Sequence, residues 1–396
     1  MHTSLMQVLL AVGCFGLLTS SVFGGMVMVA AWRFRARRRS AAASKSAPPF
    51  TPPVSLLKPL HGDEPGLEAH LATFFEQDYP EYEILFCARQ DADAGLAAAR
   101  RVAARYPQVP VQFLTSGEPT APNAKTLSLE RMAQAARHEI FIISDSDVRV
   151  TRDYVRSVAA AFADAQVGAV TCLYRGVAVE GGLWSRLEAT GMSVEMTAGV
   201  LVAEMLEGMK FTLGPTMAVR RESLKKIGGF LPMGDYCADD FLLGNWVAEQ
   251  GETVVLSEHV IDHIVLHSGF LASMHHQARW MKSTRFSRPK GHFGTVLTFC
   301  TPFGILAALA ACGLHHGMLG AGLLAWAIGS RVAMAAGISQ WVLQEPSPWQ
   351  STLLYPLRDA MGMLFWLASY GSRRILWRGE TYVLEMGGRM RRWSRT

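Results

Sequence analysis

Apolar and polar positions along the chain fall into three kinds of stretch. The first is one uninterrupted apolar run. From Val8 to Trp32 there is no charged residue, a length sufficient to cross a bilayer, and the run is followed at once by RFRARRR. A cleaved leader would carry its basic residues ahead of the apolar run, so this order predicts an uncleaved anchor with its C-terminal side in the cytoplasm.

The second kind is an alternation. Strands are predicted over Val54 to Leu60, Tyr82 to Ala88, Val111 to Leu114, Ile140 to Ile143 and Val167 to Tyr174. Between them, helical patterns cover Pro65 to Glu76, Ala94 to Arg105, Ala124 to about Ala136 and a segment after Thr151. Gly214 to Arg221 reads as a further strand, ESLKKIGGF as a short helix ended by Gly228 and Gly229, and CADDFLLGNWVAEQG as a helix headed by Asp239 and Asp240. Strands and helices in this order make an α/β fold whose sheet is mostly parallel, with helices on both faces.

Gly182 to Met209 carries a methionine-rich apolar face (Leu183, Met192, Met196, Val200, Leu201) interrupted by Glu188, Glu195, Glu204 and Glu207. Core packing and an adaptable groove for an acyl chain are both open to it. The third kind of stretch returns to membrane-length apolar runs at Phe293 to Leu314 and Met318 to Leu343, with Thr352 to Tyr370 as a further segment. Arg331, Arg358 and Asp359 lie within these runs, where ionisable groups face protein, water or the interface.

Composition sharpens this picture. Half of the residues are apolar, 18% are charged and the net charge is +5. Basic residues cluster beside the apolar runs, from Arg33 to Arg39 and from Arg373 to Arg395, a placement that suits anionic lipid headgroups and argues against a nucleic-acid partner. The six cysteines have no CxxC spacing, which argues against a disulfide framework or a zinc site and for a reducing compartment.

The chemistry gathers at strand ends, where ligands of open α/β sheets bind. The apolar strand Ile140 to Ile143 runs out into Asp145 and Asp147, one serine apart. Two close carboxylates suit a hard divalent cation that keeps positions open for phosphate oxygens. Lys58 and His61 follow the first strand, and Gln90, Asp91 and Asp93 follow the second. Asp91 reads equally as a carboxylate at a helix start, and Asp239 and Asp240 are ambiguous for the same reason.

Taken together, SLLKPLHG, FFEQDYPEYEILFCARQD, NAKTLSLE, ISDSDVRV, GPTMAVRR, IGGF, ADDF and HQARW resemble the ceramide glucosyltransferases of glycosyltransferase family 21 and, more distantly, the inverting family 2 transferases with the GT-A fold. The resemblance runs from about Val54 to Ser287 and more loosely through the C-terminus, including WRGETYVLEMGG. It implies a UDP-sugar donor, with UDP-glucose favoured, a ceramide-like lipid acceptor, and Mg²⁺ or Mn²⁺. By the same resemblance Asp91 holds the uridine, Lys125 lies near the donor, Asp145 and Asp147 bind the metal, and Asp240 is the base. His276, Arg279 and Trp280 fall on the family's (Q/R)xxRW motif beside the diphosphate and the acceptor, with His276 departing from Gln or Arg. Trp280 alone also reads as an interfacial anchor.

The expected protein is therefore a GT-A domain with N-terminal and C-terminal transmembrane helices: an anchor over 1–32, a basic linker over 33–53, a cytoplasmic catalytic domain over 54–290, membrane helices over 291–371 and a basic tail over 372–396. Three C-terminal crossings would leave the seven arginines of the tail outside, against the positive-inside tendency, so one segment is interfacial or re-entrant. Two other readings stand beside the glucosyltransferase. One is transfer of another sugar, such as N-acetylglucosamine, to a hopanoid or other lipid. The other is a lipid-binding protein without activity, which would be expected to have lost at least one of Asp91, Asp145 and Asp240.

Overall fold

A computed structural model of the protein describes residues 2–43, 50–179, 181–266, 269–377 and 379–393. The middle of the expected linker and the arginines at 378 and 395 lie outside these residues. The chain divides into two compact units: 1–39 with 180–206 and 267–387, and 40–179 with 207–266 and 388–396. Where the sequence pattern runs one domain from 54 to 290, residues 180–206 and 267–290 cluster with the first unit instead.

In chain order the elements begin with α1 (His2–Ala43), then β1 (Val54–Pro59), α2 (Leu67–Phe75), β2 (Tyr82–Ala88), α3 (Ala94–Ala103), β3 (Val111–Thr115), α4 (Ala124–Ala135), β4 (Ile140–Ile143), β5 (Val148–Arg149), α5 (Tyr154–Ala160) and β6 (Val167–Ala178). After α6 (Leu183–Thr190) and α7 (Met196–Glu207) come β7 (Met217–Arg220), α8 (Arg221–Lys226), α9 (Asp239–Glu249) and β8 (Thr253–Val265). The rest is α10 (Phe270–Ser287), α11 (Pro289–Thr295), α12 (Thr301–Gly313), α13 (Gly317–Gly337), α14 (Pro348–Ala368), β9 (Arg374–Trp377), β10 (Glu380–Leu384) and β11 (Met390–Arg392).

The second unit is built on an eight-stranded sheet in the order β3-β2-β1-β4-β7-β6-β8-β5. β1 lies between β2 and β4, with Val54 opposite both Tyr82 and Ile140 in parallel register, and the side chains of Leu56, Leu57, Ile84, Phe86, Phe141 and Ile142 are buried there. Strands covered on both faces read as unbroken apolar runs, which is why these were legible in the sequence. The other half is mixed. β7 runs antiparallel between β4 and β6, and β8 pairs with β6 in parallel and with β5 in antiparallel sense. The sheet is thus mostly parallel, as expected, but β5 and the long β8 were not anticipated. β8 mixes buried Val254, Leu256, Ile261 and Ile264 with Glu258, His259, Asp262 and His263, so its apolar run is interrupted.

The first unit is helical. Along α1 the apolar side chains of Val8, Val12, Phe15, Leu18 and Val22 are exposed, a surface that water would penalise and lipid would not. Among the described residues, two helices are long and apolar enough to cross a membrane, Thr3–Ser40 and Gly317–Val342. The expected single crossing from Phe293 to Leu314 is instead broken. α11 and α12 meet at 47°, because Pro302 starts a new helix and the carboxylate of Asp359 takes the backbone N–H groups of Cys300 (2.9 Å) and Thr301 (2.7 Å). Arg331 completes the stitch, donating to the carbonyls of Ser20 at 2.8 Å and Thr298 at 3.3 Å.

The expected segment Thr352 to Tyr370 falls in α14, which buries Arg358 and Asp359 and does not qualify as a crossing by length and composition. Most of the face from Gly182 to Met209 packs inward, with Met192, Val200 and Leu201 buried, while Leu183 and Met196 stay exposed. A π-helical turn over 191–195 joins α6 to α7. There a side chain at Gly191 would fall on the guanidinium of Arg358, which pairs with Glu195 at 2.9 Å.

Candidate functional site

At the end of β4 the chain leaves the sheet through Ser144 and places Asp145 beside the first turn of α4. Asn123 caps that helix by accepting from the Lys125 amide, and its own amide donates to Asp239 at the start of α9 (3.2 Å). Lys125 reaches both acids, 2.6 Å from Asp145 and 3.7 Å from Asp239. Burial works against its charge, but Asp145 and Asp239 outweigh burial and raise its pKa. A second lysine lies behind. Lys58, fully buried at the end of β1, donates to the Asp145 carbonyl at 2.5 Å and sits 3.7 Å above the Phe74 ring. Burial lowers its pKa to about 7, only partly opposed by Asp145 and Asp147.

Asp239 and Asp240 diverge, as neighbours on a helix must. Asp239 is engaged by Asn123 and Lys125, whereas Asp240 turns toward the loop before β7. There it accepts from the N–H of Gly214 at 2.9 Å and from that of Phe241 at 2.8 Å. A Cβ at Gly214 would lie 3.3 Å from Asp240 and 3.5 Å from Asp145, so the absent side chain is what lets two carboxylates face one backbone position. Burial and the neighbouring Asp239 push the Asp240 pKa up to about 6, against the two amides and Lys125.

Asp147 is held from β8. Its Oδ2 lies 3.1 Å from His263 Nε2, and its carbonyl accepts from Ile264 at 2.8 Å. Burial raises its pKa, but His263, by charge and hydrogen bond, brings it below the ordinary value. Next to His263, Asp262 binds Arg149 at 2.7 Å and Arg175 as well, which fixes the edge of the sheet. The other Asp147 oxygen, Oδ1, is buried and lacks a hydrogen-bond partner.

A cation site fits this donor set. An oxygen without a partner points to a ligand, and hard divalent ions bind through one or two carboxylates completed by waters and substrate phosphates. Glu64 lies in the same field, its pKa raised by burial and by Asp147 and Asp145.

Asp91 lies apart from this cluster. Its side chain is 77% exposed and pairs with Arg100. The helix-capping role that its position allowed belongs instead to Asp93, which accepts from Gly95 at 2.8 Å and Gly62 at 3.0 Å. The first unit holds His276, Arg279 and Trp280 on one stretch of α10. His276 Nδ1 is 2.7 Å from Glu188, its ring lies 4.3 Å from that of Trp280, and Arg279 sits over the Trp377 ring at 6.0 Å.

The structure thus brings Asp145, Asp239, Asp240 and Lys125 together, and adds Gly214, His263 and the pairing of Glu188 with His276, which sequence reasoning did not single out. His263 left only a faint trace in the sequence, since Asp262 and His263 interrupt an apolar stretch between Ile261 and Ile264.

Comparison with known proteins places the chain in a family. The chain is 22% identical over 358 residues to ceramide glucosyltransferase 1 of Caenorhabditis elegans, covering 87% of this chain and 74% of that protein. It is 35% identical over 107 residues to a ceramide glucosyltransferase of Komagataella phaffii, covering 26% and 21% respectively. Among solved structures, a mannosyltransferase from Pyrobaculum calidifontis in complex with GDP-Man and Mn²⁺ is similar over 89% of this chain and 99% of its own, at 20% identity and a TM-score of 0.47. The model of glycosyl transferase family 21 matches residues 15–390, and the chain belongs to that family of glycosyltransferases.

Proposed function

We propose that this membrane-associated glycosyltransferase moves glucose from UDP-glucose to the primary hydroxyl of ceramide or a ceramide-like lipid, with inversion at the anomeric carbon. The observation that carries the reading is the separation of Asp240 from Asp239. One carboxylate accepts from Asn123 and lies 3.7 Å from Lys125; the other is set beside Gly214 with its pKa pushed up to about 6. A base with that pKa is ionised at neutral pH yet takes a proton more readily than an ordinary aspartate. The names of the curated relatives support glucose and ceramide as the pair.

In this reaction the lipid hydroxyl gives its proton to Asp240 as its oxygen bonds to the anomeric carbon. The bond from that carbon to the diphosphate oxygen breaks, and UDP leaves with the electron pair. Asp145 and Asp147 would hold Mg²⁺ or Mn²⁺, whose charge, when bound, stabilises the departing diphosphate. Lys125 adds a fixed positive charge on the donor side, and Asp91 binds the uridine. The arginines from Arg33 to Arg39 support a catalytic unit on the cytoplasmic side, and the apolar length of α1 and α13 supports a multi-pass protein.

Purified protein in detergent, assayed against a panel of UDP-sugars and lipids, tests the pair. A β-linked glucosyl lipid is expected. An α-linked product overturns the mechanism, and turnover of another sugar or a polyisoprenoid lipid overturns the substrates. Asp240→Asn should lower kcat by at least about a hundredfold while UDP binding persists, and Asp239→Asn much less. Because the base must be unprotonated, kcat/KM should fall as pH drops through about 6.

A further inference from the structure

Glu64 is a carboxylate of the sheet unit that the mechanism above does not use. It stands on the loop between β1 and α2, where Glu64, Pro65, Gly66 and Leu67 close a tight turn in which the Leu67 N–H donates to the Glu64 carbonyl at 3.1 Å. Pro65 pre-sets the backbone at the second position and Gly66 takes φ +75° at the third, the combination a type II turn requires. The start of the loop is held by Asp93, which accepts from the Gly62 N–H at 3.0 Å. Local sequence therefore fixes the backbone that carries Glu64. Its side chain reaches the turn between β4 and β5, where the hydroxyl of Ser146, the residue between Asp145 and Asp147, donates to it. Its Oε2 is buried and, like Asp147 Oδ1, lacks a hydrogen-bond partner.

Two carboxylates from separate loops, both tied to one three-residue turn, thus each keep a buried oxygen without a donor. An ionised carboxylate only accepts, so neither can satisfy the other; a cation, or donors carried by one, would serve both. We propose that Glu64 is a positioning residue of the cation site: it accepts from water on the ion that Asp145 and Asp147 hold, and through Ser146 it fixes the turn between them.

Hard divalent ions keep several of their waters, and groups that bind around the direct ligands tune affinity without touching the metal. A purely structural role would need only the bond from Ser146, which a neutral amide oxygen could accept as well. The negative charge is costly at this position. Burial disfavours it, and Asp147 and Asp145 repel it, with the Ser146 bond and Lys58 opposing only in part. A bound cation removes that cost, and a fold contact between two loops would not.

The inference rests on the proposed function for its ion, and the test separates the two. Calorimetry of Mn²⁺ binding to purified protein in detergent with UDP present should show affinity about tenfold to a hundredfold weaker in Glu64→Gln than in the parent, with Glu64→Asp recovering part of the loss. UDP binding in the presence of EDTA should be the same in both. The thermal midpoint of the metal-free protein should rise in Glu64→Gln, because a buried charge beside two of its own sign is removed while the acceptor for Ser146 remains. Parental Mn²⁺ affinity together with a lower midpoint would make Glu64 a fold contact and overturn the proposal, leaving the ion assignment to Asp145 and Asp147 intact. Weaker UDP binding without metal would make it a nucleotide contact and overturn it equally. A parent protein that binds no Mn²⁺ would overturn the ion assignment itself, and this proposal with it.

Discussion

Carboxylates of the two compact units are bonded in different ways. In the sheet unit Asp147 binds His263 through one oxygen while the other lacks a partner, and Asp145 gives one oxygen to Lys125. In the helical unit, Glu188 spends both oxygens on α10, and Asp359 receives two backbone amides at the start of α12. A partnerless oxygen leaves Asp147 open to a ligand, whereas the bonds of Glu188 and Asp359 hold a side chain and a helix start in place. Burial alone does not separate the two roles.

The sharpest way to break this comparison is to remove what the partnerless oxygen of Asp147 would bind. Chelation by EDTA should abolish transfer and Mn²⁺ should restore it. Asp147→Asn, which keeps the shape but loses the charge, should weaken Mn²⁺ binding measured by calorimetry in the presence of UDP and lower turnover by more than about a hundredfold. Turnover that survives both treatments would show that the partnerless Asp147 oxygen has no ligand to meet. The bond of the other oxygen to His263 loses its charge as well, so the thermal midpoint should fall modestly.

Asp359 should respond in the reverse sense. Asp359→Ala leaves the amides of Cys300 and Thr301 buried without an acceptor and removes the negative charge near Arg331. The expected loss is about 3 kcal/mol of stability, read as a lower thermal midpoint in detergent, with Mn²⁺ affinity unchanged. A variant that melts like the parent but no longer binds Mn²⁺ would invert the assignment of roles.

The same contrast explains what could be read from the chain. β1, β2 and β4 announce themselves because both faces are covered, and Asp145 follows where the apolar residues stop. β8 did not, because one end of it carries Asp262 and His263 among its apolar residues, and the need for them appears only when β5 folds back to pair Val148 with His263. The break at Cys300 was equally hidden: Pro302 hints at it, but the acceptor that stabilises it, Asp359, lies far along the chain. Local patterns specify strands and helices, whereas the partner of a buried charge is a property of topology. Glu188 illustrates the point, being one of several glutamates on an apolar face until α10 brings His276 to it.

Asp91 is the smallest and most delicate test, because it belongs to neither class. Its side chain is mostly exposed and its partner Arg100 is itself 41% exposed, so solvent screens the pair and it adds little to the fold. Asp93, two residues on, does the structural work by capping α3 and binding Gly62. The two should therefore separate cleanly. Asp93→Ala should cost about 1 kcal/mol through the lost cap. Asp91→Asn should leave the thermal midpoint within about a degree, since surface pairs are worth about 0 to 1 kcal/mol.

If Asp91 binds the uridine, the substitution removes an interaction made equally in the ground and transition states, so KM for UDP-glucose should rise by about tenfold with kcat nearly unchanged. The exposure of Asp91 is what such a role requires, because an acid already saturated by protein donors could not accept from a nucleotide. A loss confined to kcat would place Asp91 among the reacting groups. Unchanged kinetics with a lower midpoint would reduce it to the Arg100 pair seen at the start of α3.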